Sequence, residues 1–185
     1  MSTAPVPRAR LVALLAAGDP IAAARAAGTD PGRRLAVSRG DGGGDLLVDG
    51  DVEGTIAAHR AAHAAGRASE AAVAYGDGTT PEGVAARIDG LAALARETGL
   101  LRAVCPVPGE GDSRRPGSWG VEDLTVIAVC RLALPDGVGV RPHWRRLGPA
   151  MCQVAVAFGA SEWLIPEDEP IDAVHLARSV GMELG

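Results

Sequence analysis

The chain has 185 residues, 47% of them hydrophobic but only 3% aromatic, and a formal net charge of −5. That balance excludes a disordered chain and predicts a globule with a core of small side chains, alanine above all. Acids and arginines are interspersed with no basic stripe, so nucleic acid is excluded as a partner; the longest apolar run, Val126 to Leu134, is broken by Arg131 and falls short of a membrane span.

The N-terminus places arginines before a short apolar patch that runs into Gly18-Asp19-Pro20, which reads as a first helix rather than a signal peptide. Residues 8–16 and 20–27 are expected as two short Ala-rich helices. Strands are expected at 35–37 and 46–48, a helix at 52–65 and a strand at 70–75 closed by Gly76-Asp77-Gly78. Thr79-Thr80-Pro81-Glu82 then reads as a capping box with proline in the first turn. Val84, Ile88, Leu91 and Ala95 mark one helical face, and Gly99 ends it.

A strand follows at 101–107, then a polar Pro/Gly-rich loop at 110–118. Residues 121–134 are apolar nearly all round and too long for an ordinary strand, so a buried helix is expected. The last elements are a strand at 137–141, a helix at 148–158, a strand at 163–165 and a helix at 170–180 with Ile171, Val174 and Ala177 inward. This alternation predicts an α/β fold of about five parallel βα units. A full eight-stranded barrel typically takes roughly 250 residues, so the expectation is a partial (half) TIM-type barrel or an open parallel sheet. Residues 1–30 form an N-terminal helical segment in this reading, and 31–185 the partial α/β barrel domain.

Few residues carry an obvious chemistry. The loop Gly40-Asp41-Gly42-Gly43-Gly44-Asp45 is one imperfect copy of a calcium nonapeptide that needs tandem repeats, and it lacks the Lys-Ser/Thr of a phosphate loop. His59 and His63 share a helix face at zinc-compatible spacing, but no third ligand is evident and a half-exposed face is the expectation. Cys105, Cys130 and Cys152 are far apart, as buried thiols of a cytoplasmic protein would be, and no G-x-S-x-G is present. Asp77, Pro106 and His143-Trp144 fall at strand C-terminal ends, where such folds put their sites.

Four stretches taken together carry a resemblance: GDGGGDLLVDGDVEGTIAAHRAAHAAG, AAVAYGDGTTPEGVAARIDGLAALARETG, GVEDLTVIAVCRLALP and VRPHWRRLGPAMCQVAVAFGASEWL. They resemble the C-terminal half of the radical S-adenosylmethionine enzymes of the futalosine route to menaquinone, the aminofutalosine synthase and cyclic dehypoxanthinyl futalosine cyclase family. The likeness runs from about Arg39 to Gly181. In that family a C-x3-C-x2-C loop holds a [4Fe–4S] cluster, and this sequence has no such motif. Asp45 stands where the family tends to have glutamate, and Tyr75-Gly76-Asp77 where it shows Tyr-Gly-His. Trp144 keeps the family's aromatic, with His143 before it.

The resemblance implies a cluster-less, radical-SAM-like protein in which neither an iron–sulfur cluster nor S-adenosylmethionine is expected as a cofactor. Asp45, Tyr75, Asp77, His143 and Trp144 are the candidate ligand-binding residues. The leading expectation is a non-catalytic partner or small-molecule-binding module linked to menaquinone biosynthesis. The alternative is an enzyme acting on a futalosine-like nucleoside, alone or by completing an active site in trans; a scaffold with a filled cavity is the third reading. A half barrel leaves sheet edges to cover, so the N-terminal helices, a second copy or a full-length radical SAM enzyme are the expected partners of those edges.

Overall fold

The computed structural model describes residues 4–28, 35–40, 51–110 and 118–182, together with the backbone of 46–48. In chain order the elements are α1 (Arg8–Ala17), α2 (Pro20–Ala27), β1 (Ala36–Arg39), β2 (Leu46–Val48), α3 (Val52–Ala64), β3 (Ser69–Tyr75) and α4 (Pro81–Thr98). There follow β4 (Leu101–Pro108), α5 (Gly120–Ala133), β5 (Gly139–Val140), α6 (Trp144–Val156), β6 (Glu162–Ile165) and α7 (Ala173–Ser179). From β2 onward each strand is followed by a helix, which gives the five βα units that the alternation predicts. The calcium-like loop at 41–45 lies outside the described residues, as does most of the 110–118 loop.

All pairings are parallel. One sheet runs β2-β3-β4-β5 and the other β1-β6. The order of the first sheet rises monotonically, so each crossover steps one strand in the same direction. Right-handed crossovers then place their helices on one face of the sheet. This is the singly wound order of an open α/β fold, and among the described residues no ladder closes it into a barrel. Ser161 stitches the two sheets: its N–H donates to Val140 O at 2.9 Å, its hydroxyl accepts from Val140 N at 3.0 Å, and its carbonyl accepts from Ala36 N at 3.0 Å.

Helix starts follow local chemistry. Asp19, Asp51 and Asp172 cap α2, α3 and α7 by accepting first-turn N–H groups. At α4 the cap is Thr80, whose hydroxyl accepts from Gly83 N at 3.1 Å. That shifts the expected capping box by one residue: Glu82 falls short of the third helical position, and Thr79 donates instead to Gly76 O at 2.7 Å. The 148–158 helix begins earlier than its sequence suggests, at Trp144. Gly148 breaks it at φ 76° and Pro149 restarts it, since that left-handed backbone suits glycine and proline fits a new first turn. The 137–141 strand shrinks to Gly139–Val140, although Arg141 N still donates to Val104 O at 2.9 Å. On α7, Ala177 is buried as expected but Val174 is exposed, because Ala173, Leu176, Ala177 and Val180 make up the face that meets the core and Val174 lies off it.

The larger core lies between the sheet and its helices. Ala71, Val73 and Tyr75 of β3 meet Val84, Ile88 and Leu91 of α4 and Val126, Ile127 and Cys130 of α5. Helix α5 is buried from Thr125 to Arg131, as its all-round apolar sequence predicts. Leu11, Ala23 and Ala24 join the same core: α1 rests on α4 and α5, and α2 on α5. The N-terminal helices thus add to the helical layer rather than cap a sheet edge, because their buried residues meet the apolar flanks of α4 and α5. A second cluster unites Leu35, Trp144, Cys152, Trp163, Ile165 and Ala177, with the two indoles edge to face at 5.8 Å.

Leu11 is fully buried, so Leu11→Ala should lower the unfolding free energy by about 2–5 kcal/mol in chemical denaturation. A loss below ~1 kcal/mol would show that α1 contributes little to the cooperative core.

Candidate functional site

The strand C-terminal ends were the expected site, and the structure separates its residues. Tyr75 ends β3, but it shares parity with Ala71 and Val73 and so faces the helices. It is 1% exposed, and its hydroxyl donates to Asp123 Oδ1 of α5 at 2.7 Å. Burial, then the Asp123 charge, push its phenol far above the ordinary range. Trp144 is likewise buried, in the second core beside Trp163, and its indole nitrogen has no hydrogen-bond partner. Asp77 is exposed in the turn after β3. His143 caps α6, Nδ1 accepting from Arg146 N at 3.3 Å. Burial first, then Arg146, hold its imidazole below the usual pKa. Asp45 lies outside the described residues. Asp77 and His143 therefore stand at the rim, whereas Tyr75 and Trp144 lie behind it in two different cores.

Two buried polar clusters went unrecognised in the sequence. By strand alternation Glu70, Ala72, Ala103 and Cys105 face away from the helical layer. On that inner face Arg141, 4% exposed, donates to both Glu70 oxygens at 2.8 and 3.0 Å and to Glu162 Oε1 at 2.8 Å. Burial opposes its charge, and the two carboxylates more than offset that, so its pKa stands above the ordinary value. Gly139 beside it is dictated by space: an added Cβ would meet Glu162 Oε2 at 2.5 Å. The available signal was parity, since Glu70 interrupts an apolar strand on the inward side.

The second cluster corrects the half-exposed histidine face. His59 is 0% and His63 5% exposed, because α3 packs on β3 and α4 through that face. His59 Nδ1 lies 2.6 Å from Ser69 Oγ, which lies 2.7 Å from His63 Nε2; His63 Nδ1 lies 2.7 Å from Thr98 Oγ1. Thr98 donates its proton to Leu94 O at 2.9 Å. The proton order follows: His63 donates through Nδ1, Ser69 donates to His63 Nε2, and His59 donates to Ser69. His59 Nε2 is left as a buried acceptor with no partner. Burial, then His63, lower the pKa of His59, and burial lowers that of His63, so both rings are neutral.

Among the described residues no group of three or more His, Cys, Asp or Glu side chains gathers to hold a metal. The three cysteines are buried on β4, α5 and α6, and burial pushes the Cys130 and Cys152 thiols up to about 12.

No family model matches the chain. Two curated enzymes do so in part. The chain is 29% identical over 119 residues to the aminodeoxyfutalosine synthase of Thermus thermophilus, a match covering 60% of this chain and 32% of that enzyme. It is 31% identical over 112 residues to 5-amino-6-(D-ribitylamino)uracil–L-tyrosine 4-hydroxyphenyl transferase 1 of Methanosarcina barkeri, covering 55% of this chain and 30% of that enzyme. Both matches support a distant radical S-adenosylmethionine relationship, and the chain spans about a third of the length of either relative.

Tyr75→Phe strips the buried Asp123 of its donor and should cost about 1–3 kcal/mol, read from urea midpoints. The histidines make stability fall with acid. Their native pKa values lie below the ordinary value near 6.5, so below that pH the unfolded chain binds protons that the fold resists. The urea midpoint should hold above about pH 7, then drop as pH falls through the lowered native values. His143 adds in the same direction. The double variant His59→Leu, His63→Leu should show a shallower drop; an undiminished one would place the acid sensitivity elsewhere.

Proposed function

We propose that the chain is a small-molecule-binding partner module related to radical S-adenosylmethionine enzymes, with no radical chemistry of its own, and that it serves the futalosine route to menaquinone. The observation that carries this reading is the state of the cysteines. A cluster needs neighbouring thiolates, and Cys105, Cys130 and Cys152 are buried on three separate elements, the latter two held as protonated thiols. The link to menaquinone rests on the partial match to an aminodeoxyfutalosine synthase.

In this reading the ligand sits over the strand C-terminal ends, with Asp77, His143 and Asp45 as its polar contacts. Tyr75 and Trp144 support that rim from behind. The partner is a full-length radical S-adenosylmethionine enzyme or a second copy of the chain, meeting the sheet edges at β1 and β2.

Anaerobic reconstitution with iron and sulfide is the direct test. The purified protein should stay colourless and retain no stoichiometric iron; a brown, iron-loaded product would overturn the cluster-less reading. Calorimetric titration with a futalosine-type nucleoside should show saturable binding that Asp77→Ala and His143→Ala weaken.

A further inference from the structure

A cavity of about 310 Å³ opens between the C-terminal end of α1 and the first turns of α4 and α5, on the helical layer rather than over the sheet. Its size falls at the lower end of small-molecule sites, roughly 300–1,000 Å³. Leu15, Val84 and Val126 supply apolar walls from three helices. Trp119 stands at it with 68% of its surface exposed, while Trp144 and Trp163 are buried in the second core. A flat, wet indole beside an apolar cavity is a ring-stacking platform.

The polar groups restrict what fits. The Glu122 carboxyl accepts from the Trp119 N–H as a helix cap, and burial pushes its pKa upward. A carboxylate has further lone pairs beyond that one bond, so it can also accept from a ligand N–H. Thr80 Oγ1 accepts from Gly83 N, which leaves its proton to donate. An anionic ligand would face the Glu122 carboxylate. A cationic one would face the N–H ends of two helices.

We propose that this cavity binds an uncharged, flat aromatic molecule with an amide-like edge, its ring on Trp119 and its edge on Glu122 and Thr80. The site is separate from the strand-end reading and does not depend on it.

Isothermal titration calorimetry on the full chain tests it, with indole-3-carboxamide as probe and the near-isosteric indole-3-carboxylate as control. The amide should bind saturably, and the carboxylate more weakly by about tenfold or more. Trp119→Ala and Glu122→Leu should each weaken the amide by a similar factor, and Glu122→Gln, which keeps an acceptor, should restore it. Trp119 is largely exposed, so its variant should keep the wild-type circular dichroism. Absence of saturable amide binding up to its solubility limit, equal affinity for the carboxylate, or undiminished binding in Trp119→Ala would each overturn the proposal. A futalosine-type nucleoside that binds Trp119→Ala as well as wild type lies elsewhere and leaves the strand-end reading standing.

Discussion

One buried guanidinium holds the two sheets in register. Arg141 follows β5, and it reaches Glu70 at the start of β3 and Glu162 at the start of β6. Glu70 belongs to the four-stranded sheet and Glu162 to the two-stranded one, so these contacts span the break in the ladder between β5 and β6. Ser161 supplies the backbone side of the same seam through Val140 and Ala36. Desolvating a charge costs several kcal/mol, and here the bidentate pairing to Glu70 and the added contact to Glu162 offset it. Gly139 follows from this constraint, because any side chain there would displace the Glu162 carboxylate.

Arginine does similar work elsewhere. Arg131, almost wholly buried, donates to the carbonyls of Val138, Leu134 and Pro135, closing the C-terminal end of α5 and the turn into β5. Only glycine fits at position 159, because an added Cβ would strike that side chain. Arg96 donates to Ala133 O and Arg87 to Ala74 O, tying α4 to the end of α5 and to β3. Arg39 joins the end of β1 to the segment between β6 and α7 through three carbonyls. An alanine-rich core provides little area per residue, and planar five-donor side chains fasten element ends that thin packing would leave loose.

The parts of the fold legible in the sequence were those with strong contrast. Thr80-Pro81 followed by Val84, Ile88 and Leu91 fixed α4, and the unbroken apolar run fixed α5 as buried. Contrast failed on α3, where five of the thirteen residues are alanine and few large apolar side chains mark the inward face; His59 and His63 therefore read as half exposed. At the strand ends, position alone located the rim but not the direction of a side chain. Parity with Ala71 and Val73 was the signal that Tyr75 turns toward α5. Trp144 is covered by Trp163, a partner 19 positions distant in a core that no local pattern announces. The arginine roles were hidden because backbone carbonyl acceptors leave no residue-type signature.

The two ends of the sheet differ in how their polar groups are held. At the N-terminal ends, Ser69 orders the buried histidines, and Glu70 and Glu162 hold the buried Arg141 guanidinium. At the C-terminal ends the ion pairs are exposed: Arg145 with Asp168 and Arg146 with Glu110. Exposed pairs contribute about 0–1 kcal/mol and rearrange readily, whereas a buried network resists any change in its geometry. Parallel α/β folds commonly divide their labour this way, with stability at the strand beginnings and ligand contact at the strand ends. Asp77 and His143 lie on the adaptable side of that division, and the cavity at the first turns of α4 and α5 opens on the same side. A distant relative that shares only a third of a radical enzyme's length can keep the rigid base intact while its rim contacts change, because the base makes no use of the rim.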